Sequence, residues 1–270
     1  MEMKEFRETV DWLLEKKNFK PEFGIILGTG LGEMVNGLKI ISTFNYADIP
    51  HFPVATAETH EGKLHFAEWE GKNLVVAQGR FHHYEGYNLK QVTYPVRIMK
   101  LLGIHTLLIS NISGALNPSY QMSDLVVIED HINLQTENPL TGPNLSELGP
   151  RWPDMSEPYD QNLIFKSIQY AWKENIKIHT GVYACVTGPN LETRAEYKYL
   201  SRIGGDCIGM STVPEVIVAK HMGLRVFAIS AISDICYGKI KPVEIEELLE
   251  AAKNAEPKMV RIFNFIIENH

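Results

Sequence analysis

The stretch Gly205-Asp206-Cys207-Ile208-Gly209-Met210-Ser211-Thr212-Val213-Pro214-Glu215-Val216 decides how the chain is read. It is the end of a buried strand running through a hydroxyl pair and a proline straight into a helix. Ser211 and Thr212 stand where the unpaired N–H groups of a helix start need caps, and Pro214 suits the first turn. The Gly-Met-Ser-Thr segment also leaves a hollow with an apolar wall and hydroxyl and amide donors, a place for a sugar or an anion. An ordinary N-cap is the plainer explanation of the segment taken alone, so its meaning depends on the rest of the chain.

Outward from that stretch, short apolar runs alternate with helical patterns. Strands are expected at Gly24–Leu27, Leu74–Gln78, Thr106–Ser110, Leu125–Ile128, Val182–Val186, Cys207–Met210 and Val226–Ser230. Several are apolar almost throughout, as strands covered on both faces are. Helices are expected at Glu5–Lys17, Lys90–Leu102, Asn162–Trp172, Glu192–Ile203, Pro214–His221 and Val243–Ile267. The alternation predicts one three-layer α/β/α domain over residues 1–270. The segment 135–160 carries five prolines and no periodicity. A loop that long in a compact domain reads as a lid or a subunit contact.

Composition excludes some classes. Of the 270 residues, 44% are apolar and 22% charged, ordinary values for a globular domain able to bury a large core. A net charge of −7 leaves no basic stripe to replace the counterions of a nucleic acid. The charged start predicts no secretory leader, and no apolar run reaches membrane-spanning length. The three cysteines Cys185, Cys207 and Cys236 are widely spaced and odd in number, which predicts buried thiols in a reducing cytoplasm.

Polar clusters recur at strand ends. Gly28-Thr29-Gly30-Leu31-Gly32 brings N–H groups and a hydroxyl towards an anion, although its spacing fits neither a dinucleotide fingerprint nor a P-loop. Arg80 in Gly79-Arg80-Phe81-His82-His83-Tyr84-Glu85-Gly86-Tyr87 can fork onto phosphate oxygens, and His82 stands two residues on. Adjacent histidines without a spaced carboxylate or cysteine do not make a metal site. Ser110 to Pro118 reads as a small-residue turn offering N–H groups, and Gly188 to Glu196 as a helix opened by Glu192. Ser230-Ala231-Ile232-Ser233-Asp234-Ile235-Cys236 reads as a strand ending in a hydroxyl and an acid. Together they describe one crevice with an Arg, one or two His, hydroxyls and two carboxylates, suited to a small molecule with an anionic part and a polar planar or sugar part.

These motifs, with Asp130-His131-Ile132-Asn133-Leu134 and Gly209 to Val218, resemble in order and over nearly the whole length the purine nucleoside phosphorylases of the small-subunit, homotrimeric class. The resemblance implies a mixed central sheet and reversible phosphorolysis of purine nucleosides to free base and ribose 1-phosphate, in the cytoplasm. It implies no organic cofactor and no catalytic metal, phosphate being a co-substrate. By matched position, phosphate falls to Thr29, His60, Arg80, His82, the Ile112 backbone and Ser211. Ribose falls to Tyr84, Asn111 and Met210, with Trp152 lent by a neighbouring subunit, and the purine to Leu191, Glu192, Ile208, Gly209 and Asp234. Asp234, Glu192 and His82 are the catalytic residues on this reading.

Two positions depart from the family pattern. Where the family commonly has Asn, this chain has Asp234. An ionised Asp only accepts, whereas a neutral one can donate to purine N7. A neutral Asp234 beside an ionised Glu192 suits inosine and guanosine; an ionised Asp234 would instead accept from a 6-amino group. Ile245 falls near a position where a His commonly faces the sugar 5′-hydroxyl. An apolar residue there admits 5′-deoxy or 5′-methylthio sugars and keeps methylthioadenosine phosphorylase open as an alternative. A non-catalytic nucleoside or phosphate sensor is the reading from a different class.

Overall fold

Runs without a polar residue form the middle of the sheet because helices cover both of their faces. The computed structural model describes residues 2–54 and 61–270. Helix α1 (Met3–Lys16) precedes β1 (Phe23–Leu27), followed by β2 (Lys39–Asn45), β3 (Lys63–Trp69) and β4 (Lys72–Gln78). Two short helices, α2 (Leu89–Val92) and α3 (Tyr94–Leu102), lead to β5 (Thr106–Ala115) and β6 (Leu125–Asn133). The chain continues through α4 (Gln161–Lys173), β7 (Ile178–Cys185), α5 (Arg194–Arg202) and β8 (Cys207–Gly209). It ends with α6 (Val213–His221), β9 (Arg225–Ile235) and α7 (Ile245–Asn269).

Among the described residues the strands join in the order β2-β3-β4-β1-β5-β8-β7-β6-β9, and β5 also pairs with β9. The sheet is mixed: β1 lies parallel to β4 and β5, while β3 runs antiparallel to both β2 and β4. Because β9 pairs with both β5 and β6, the strands β5, β8, β7, β6 and β9 close into a ring. Helices α1, α2, α3 and α6 pack together, and α4 and α7 pair in a second layer, α7 lying against β5 and β9. This is the three-layer α/β/α arrangement with a mixed central sheet. Its main apolar core runs from Phe6 on α1 to Ile267 on α7, and a smaller cluster holds Leu200 and Tyr197 of α5 against Ile208 and Cys236.

The edge strand β2 and its neighbour β3 are not among the expected ones. Lys39, Ser42, Thr43 and Asn45, then Lys63, His65 and Glu68, interrupt the apolar residues there, so neither run reads as an unbroken buried strand. The expected helix 90–102 is broken at Thr93. Pro95 has no N–H for the Gln91 carbonyl, so the chain stops and restarts. The expected helix 192–203 starts only at Arg194. The Thr193 hydroxyl accepts from the Glu196 N–H (3.2 Å) and the Glu196 carboxylate from the Thr193 N–H (2.6 Å). This capping box sets the start and leaves Glu192 outside the helix.

The supposed turn at Ser110–Pro118 is largely strand, since β5 continues to Ala115. Along one edge β9 follows β5 for its whole length. On the other edge β1 pairs only with Thr106–Ile109, and β8 only with Gly114–Ala115. Between them Ser110–Ser113 have no strand neighbour on that side. Ligands in open α/β sheets bind where neighbouring strands part in this way.

Candidate active site

The chain leaves β1 at that gap. A Cβ on Gly28 would stand 2.7 Å from the Ser110 carbonyl oxygen and 2.9 Å from the Asn111 Cα, so only glycine lets the strands pass this closely. The Gly28 N–H donates to the Ser110 hydroxyl (3.1 Å), and Thr29 follows at the mouth of the gap. A cavity of about 250 Å³ opens there. Thr29, Arg80, His82, Tyr84, Asn111, Ile112 and Ser211 are among its lining residues, as are Leu191, Glu192, Ile208, Gly209, Met210 and Asp234. Every expected site residue is thus brought together except two. His60 lies outside the described residues. Trp152 is 87% exposed and not on this cavity.

At one end Arg80 is buried at the carboxyl end of β4. It donates from Nη1 to the Ser211 hydroxyl and from Nη2 to the Ser110 carbonyl, both at 2.9 Å. Its Nε lies 3.3 Å from the Glu215 carboxylate in the first turn of α6, a pair of which both members are buried. Neither that Nε nor Glu215 Oε2 has a well-aligned hydrogen bond among the described residues. The guanidinium is therefore fixed in place with its charge compensated, and it adds directed N–H groups more than net charge. His82 is oriented from its Nδ1 side by Glu85 (2.9 Å), which also accepts the His82 N–H (2.8 Å), and its ring stacks on Tyr84.

Ser211 and Thr212 do not cap α6 as expected. Thr212 occupies the cap position at φ 70°, ψ −54°, and its side chain makes no capping bond. The Thr212 hydroxyl instead accepts from Asn111 Nδ2 (2.8 Å) and lies 3.3 Å from the Ser211 hydroxyl. A β-branched residue in that region costs about 1–3 kcal/mol. The strain links Asn111, Thr212, Ser211 and Arg80 into one hydrogen-bonded row. The Ser211 backbone is fixed in turn by the Tyr183 hydroxyl and the Cys185 thiol.

At the other end stand Glu192 and Asp234. The Asp234 carboxylate accepts from the Ser233 hydroxyl at Oδ1 (2.8 Å) and from the Cys236 thiol at Oδ2 (3.2 Å). Burial raises the pKa of Glu192; hydrogen bonds from its own N–H and from Tyr197 oppose this, and the nearby Asp234 adds to it. The direction of that shift runs against the ionised Glu192 of the expected division of charge.

Several lining residues carried no clear signal in the sequence. Ser113, Gly114 and Ser233 sit inside the quoted motifs but were given no role, and Cys236 read as an ordinary buried thiol. Tyr197 and Leu248 face the cavity from helices and look like any apolar-face residue. Ile245 does not line the cavity: it is 65% exposed, and Leu248, one turn on, lines it instead. Among the described residues no group of three or more His, Cys, Asp or Glu stands together as a metal would need. No helix among them is long and apolar enough to cross a membrane.

The phosphorylase superfamily profile matches residues 22–268. Purine nucleoside phosphorylase 1 of Geobacillus stearothermophilus is 43% identical over 97% of this chain and 96% of its own length. The mouse purine nucleoside phosphorylase is 42% identical over 98% and 94%. The Schistosoma mansoni purine nucleoside phosphorylase in complex with adenosine superposes with a TM-score of 0.90 at 37% identity, covering 98% of this chain and 96% of that one. A schistosoma enzyme in complex with hypoxanthine gives 0.91 at 39%, with the same coverage. The chain belongs to the phosphorylase superfamily and, within it, to the purine nucleoside phosphorylases.

Proposed function

We propose that the protein catalyses reversible phosphorolysis of purine nucleosides, giving free base and ribose 1-phosphate, as a cytoplasmic homotrimer with phosphate as co-substrate and no cofactor. One observation carries the reading. A single cavity has oriented anion donors, Arg80 and Ser211, at one end and a carboxylate pair, Glu192 and Asp234, at the other. Related enzymes have been solved with adenosine and with hypoxanthine, a nucleoside and a free purine.

Phosphate sits among Thr29, His60, Arg80, His82, the Ile112 N–H and Ser211. Ribose lies over Met210 between Tyr84 and Asn111, and the purine between Leu191, Ile208 and Gly209 with its edge on Glu192 and Asp234. Stretching the glycosidic bond makes the sugar cationic and the purine electron-rich. Phosphate then acts as nucleophile and as the nearby negative charge, and its donors need only hold it in line. Leaving-group help comes at N7, where a neutral Asp234 donates a hydrogen bond or proton while an ionised Glu192 accepts from N1–H of inosine or guanosine. Trp152 serves the sugar site of a neighbouring subunit, which agrees with its exposure here.

Base release from inosine, guanosine, adenosine and methylthioadenosine, with and without phosphate, tests the reading. Phosphate-dependent release from inosine is expected. Equal release without phosphate would mean a hydrolase, and faster turnover of methylthioadenosine than of any ribonucleoside would favour that alternative. No release from any of them would leave a nucleoside sensor.

A further inference from the structure

The phosphate end of the cavity depends on a loop that holds itself poorly. Gly28-Thr29-Gly30-Leu31-Gly32 is rich in glycine, the residue that loses most backbone entropy on ordering. Two bonds close its near side. The Gly28 N–H donates to the Ser110 hydroxyl and the Leu31 N–H to the Gly28 carbonyl, both at 3.1 Å. Beyond Gly32 the chain enters a short 3-10 helix, Glu33–Gly37, and Gly32 has no side chain with which to cap it. The cap comes from 222 residues further along the chain, where Glu256 Oε1 on α7 accepts from the Met34 N–H (3.1 Å).

Glu256 is the one acidic or basic residue on the buried face of α7, beside Ala252, Ala255 and Met259, and is only 5% exposed. A carboxyl buried there costs free energy unless a hydrogen bond offsets it, and the bond it makes is to this loop. The same face of α7 presses on the loop one turn earlier. At Gly30, which has φ 69°, an added Cβ would meet the Ala252 Cβ at 3.0 Å and Leu249 Cδ2 at 3.3 Å.

The loop is held from the other side by Gln78, the last residue of β4, which donates from Nε2 to the Gly32 carbonyl (3.3 Å). Its Oε1 can only accept, so His65 Nε2–H donates to it (2.9 Å), while His65 Nδ1 meets the Thr43 hydroxyl (2.9 Å). That row across β2, β3 and β4 fixes which end of the Gln78 amide faces Gly32. Neither Gln78 nor Glu256 is among the residues lining the cavity, and no step of phosphorolysis as described uses either.

We propose that Glu256 and Gln78 are positioning residues for phosphate. They clamp the Gly28–Gly32 loop from α7 and from β4, and so hold Thr29 and the loop N–H groups on the anion. The inference rests on the phosphate site of the purine nucleoside reading and deepens it. Glu256 acts by geometry and not by charge: neutral or ionised, its carboxyl keeps an acceptor for the Met34 N–H, and a glutamine amide keeps one too. Without that acceptor the buried Met34 N–H is unpaired, the loop opens at its exit, and Thr29 loses its place. Arg80 and Ser211 are held by other contacts, through Ser110 and Glu215 and through Tyr183 and Cys185. The loss therefore falls on phosphate and spares the purine end.

The test compares wild type, Glu256→Leu and Glu256→Gln in calorimetric Kd for inorganic phosphate, in KM for phosphate and for inosine, and in hydrogen exchange over residues 28–37. Glu256→Leu is expected to raise Kd and KM for phosphate at least ~5-fold, the order of one net hydrogen bond, and to speed exchange over the loop. KM for inosine is expected to stay within about twofold. Glu256→Gln is expected to keep every one of these values within about twofold of wild type, because the acceptor stays. Gln78→Leu, which leaves α7 untouched, is expected to show the same phosphate-selective loss, and it decides the matter if Glu256→Leu does not fold. An unchanged phosphate Kd in either leucine variant, values of KM for phosphate and inosine that rise together, or a Glu256→Gln as impaired as Glu256→Leu overturns the proposal. A wild type that binds phosphate with these ratios yet forms no ribose 1-phosphate keeps the clamp and removes the phosphorolysis reading. One that binds no phosphate removes both.

Discussion

Arg80 carries the anion end of the site, and its buried partner decides which substitution is informative. Arg80→Ala would strand the Glu215 carboxylate without compensation, at a cost of about 3–5 kcal/mol in stability. Arg80→Lys keeps the charge but loses the fork onto Ser211 and Ser110. We expect its KM for phosphate to rise at least ~10-fold, equivalent to about 1.4 kcal/mol, while KM for inosine changes little. Steady-state kinetics with each substrate varied in turn checks this. Thr212 is the second informative residue. Thr212→Gly relieves the φ 70° strain and is expected to leave stability unchanged or raise it by up to ~1 kcal/mol, while kcat/KM falls because Asn111 loses its acceptor. Thr212→Ser keeps the hydroxyl and is expected to keep activity. Denaturant melts alongside kinetics separate the two effects.

At this scale the sequence was legible where chemistry and spacing coincide, as for Arg80, His82, Glu192, Ser211 and Asp234. It misread Thr212, whose place before a proline and a helix spelled an N-cap but whose hydroxyl turns inward to Asn111. It passed over Tyr197 and Cys236, because a helix residue and a strand-end residue that meet only in the folded cluster leave no local pattern.

At the scale of elements, strands covered on both faces were legible from unbroken apolar runs, and β2 and β3 were not, because polar residues interrupt their apolar ones as they do in loops. The end of β5 was misread for a related reason: Asn111, Ser113 and Gly114 look like a turn, and only the parting of β1 from β8 shows that a strand was needed there. Element joints also give a stability prediction. Asp160 begins α4, accepting from the Leu163 N–H (2.9 Å) and from Arg225 Nε on β9 (2.7 Å). Burial alone would raise its pKa, but the Arg225 guanidinium and the helix-start N–H groups outweigh it and lower it. A lowered carboxyl stabilises the fold above its unfolded pKa, and that contribution is lost as pH falls through the folded value. Asp160→Ala is therefore expected to cost ~1–2 kcal/mol at pH 7. The gap to wild type should close below about pH 4. Urea melts across that range check both the size and the direction.

At the scale of the whole molecule, the 135–160 segment is tied down rather than loose. Arg97 donates to the Pro139 carbonyl, Arg151 to the Leu140 and Gly142 carbonyls, and His221 meets Asn144. A segment so anchored, with Trp152 held out from its own site, suits a contact between copies. Sedimentation is expected to give the mass of three chains. Trp152→Ala is expected to raise KM for inosine several-fold with little change in KM for phosphate; an unchanged KM would remove Trp152 from the sugar site. The central claim is that one cavity joins phosphate to the sugar as the base leaves. Phosphorus NMR of inosine and phosphate with the enzyme tests it most directly. The account predicts one ribose 1-phosphate formed for each hypoxanthine released. Hypoxanthine appearing with free ribose, or no hypoxanthine at all, would contradict it.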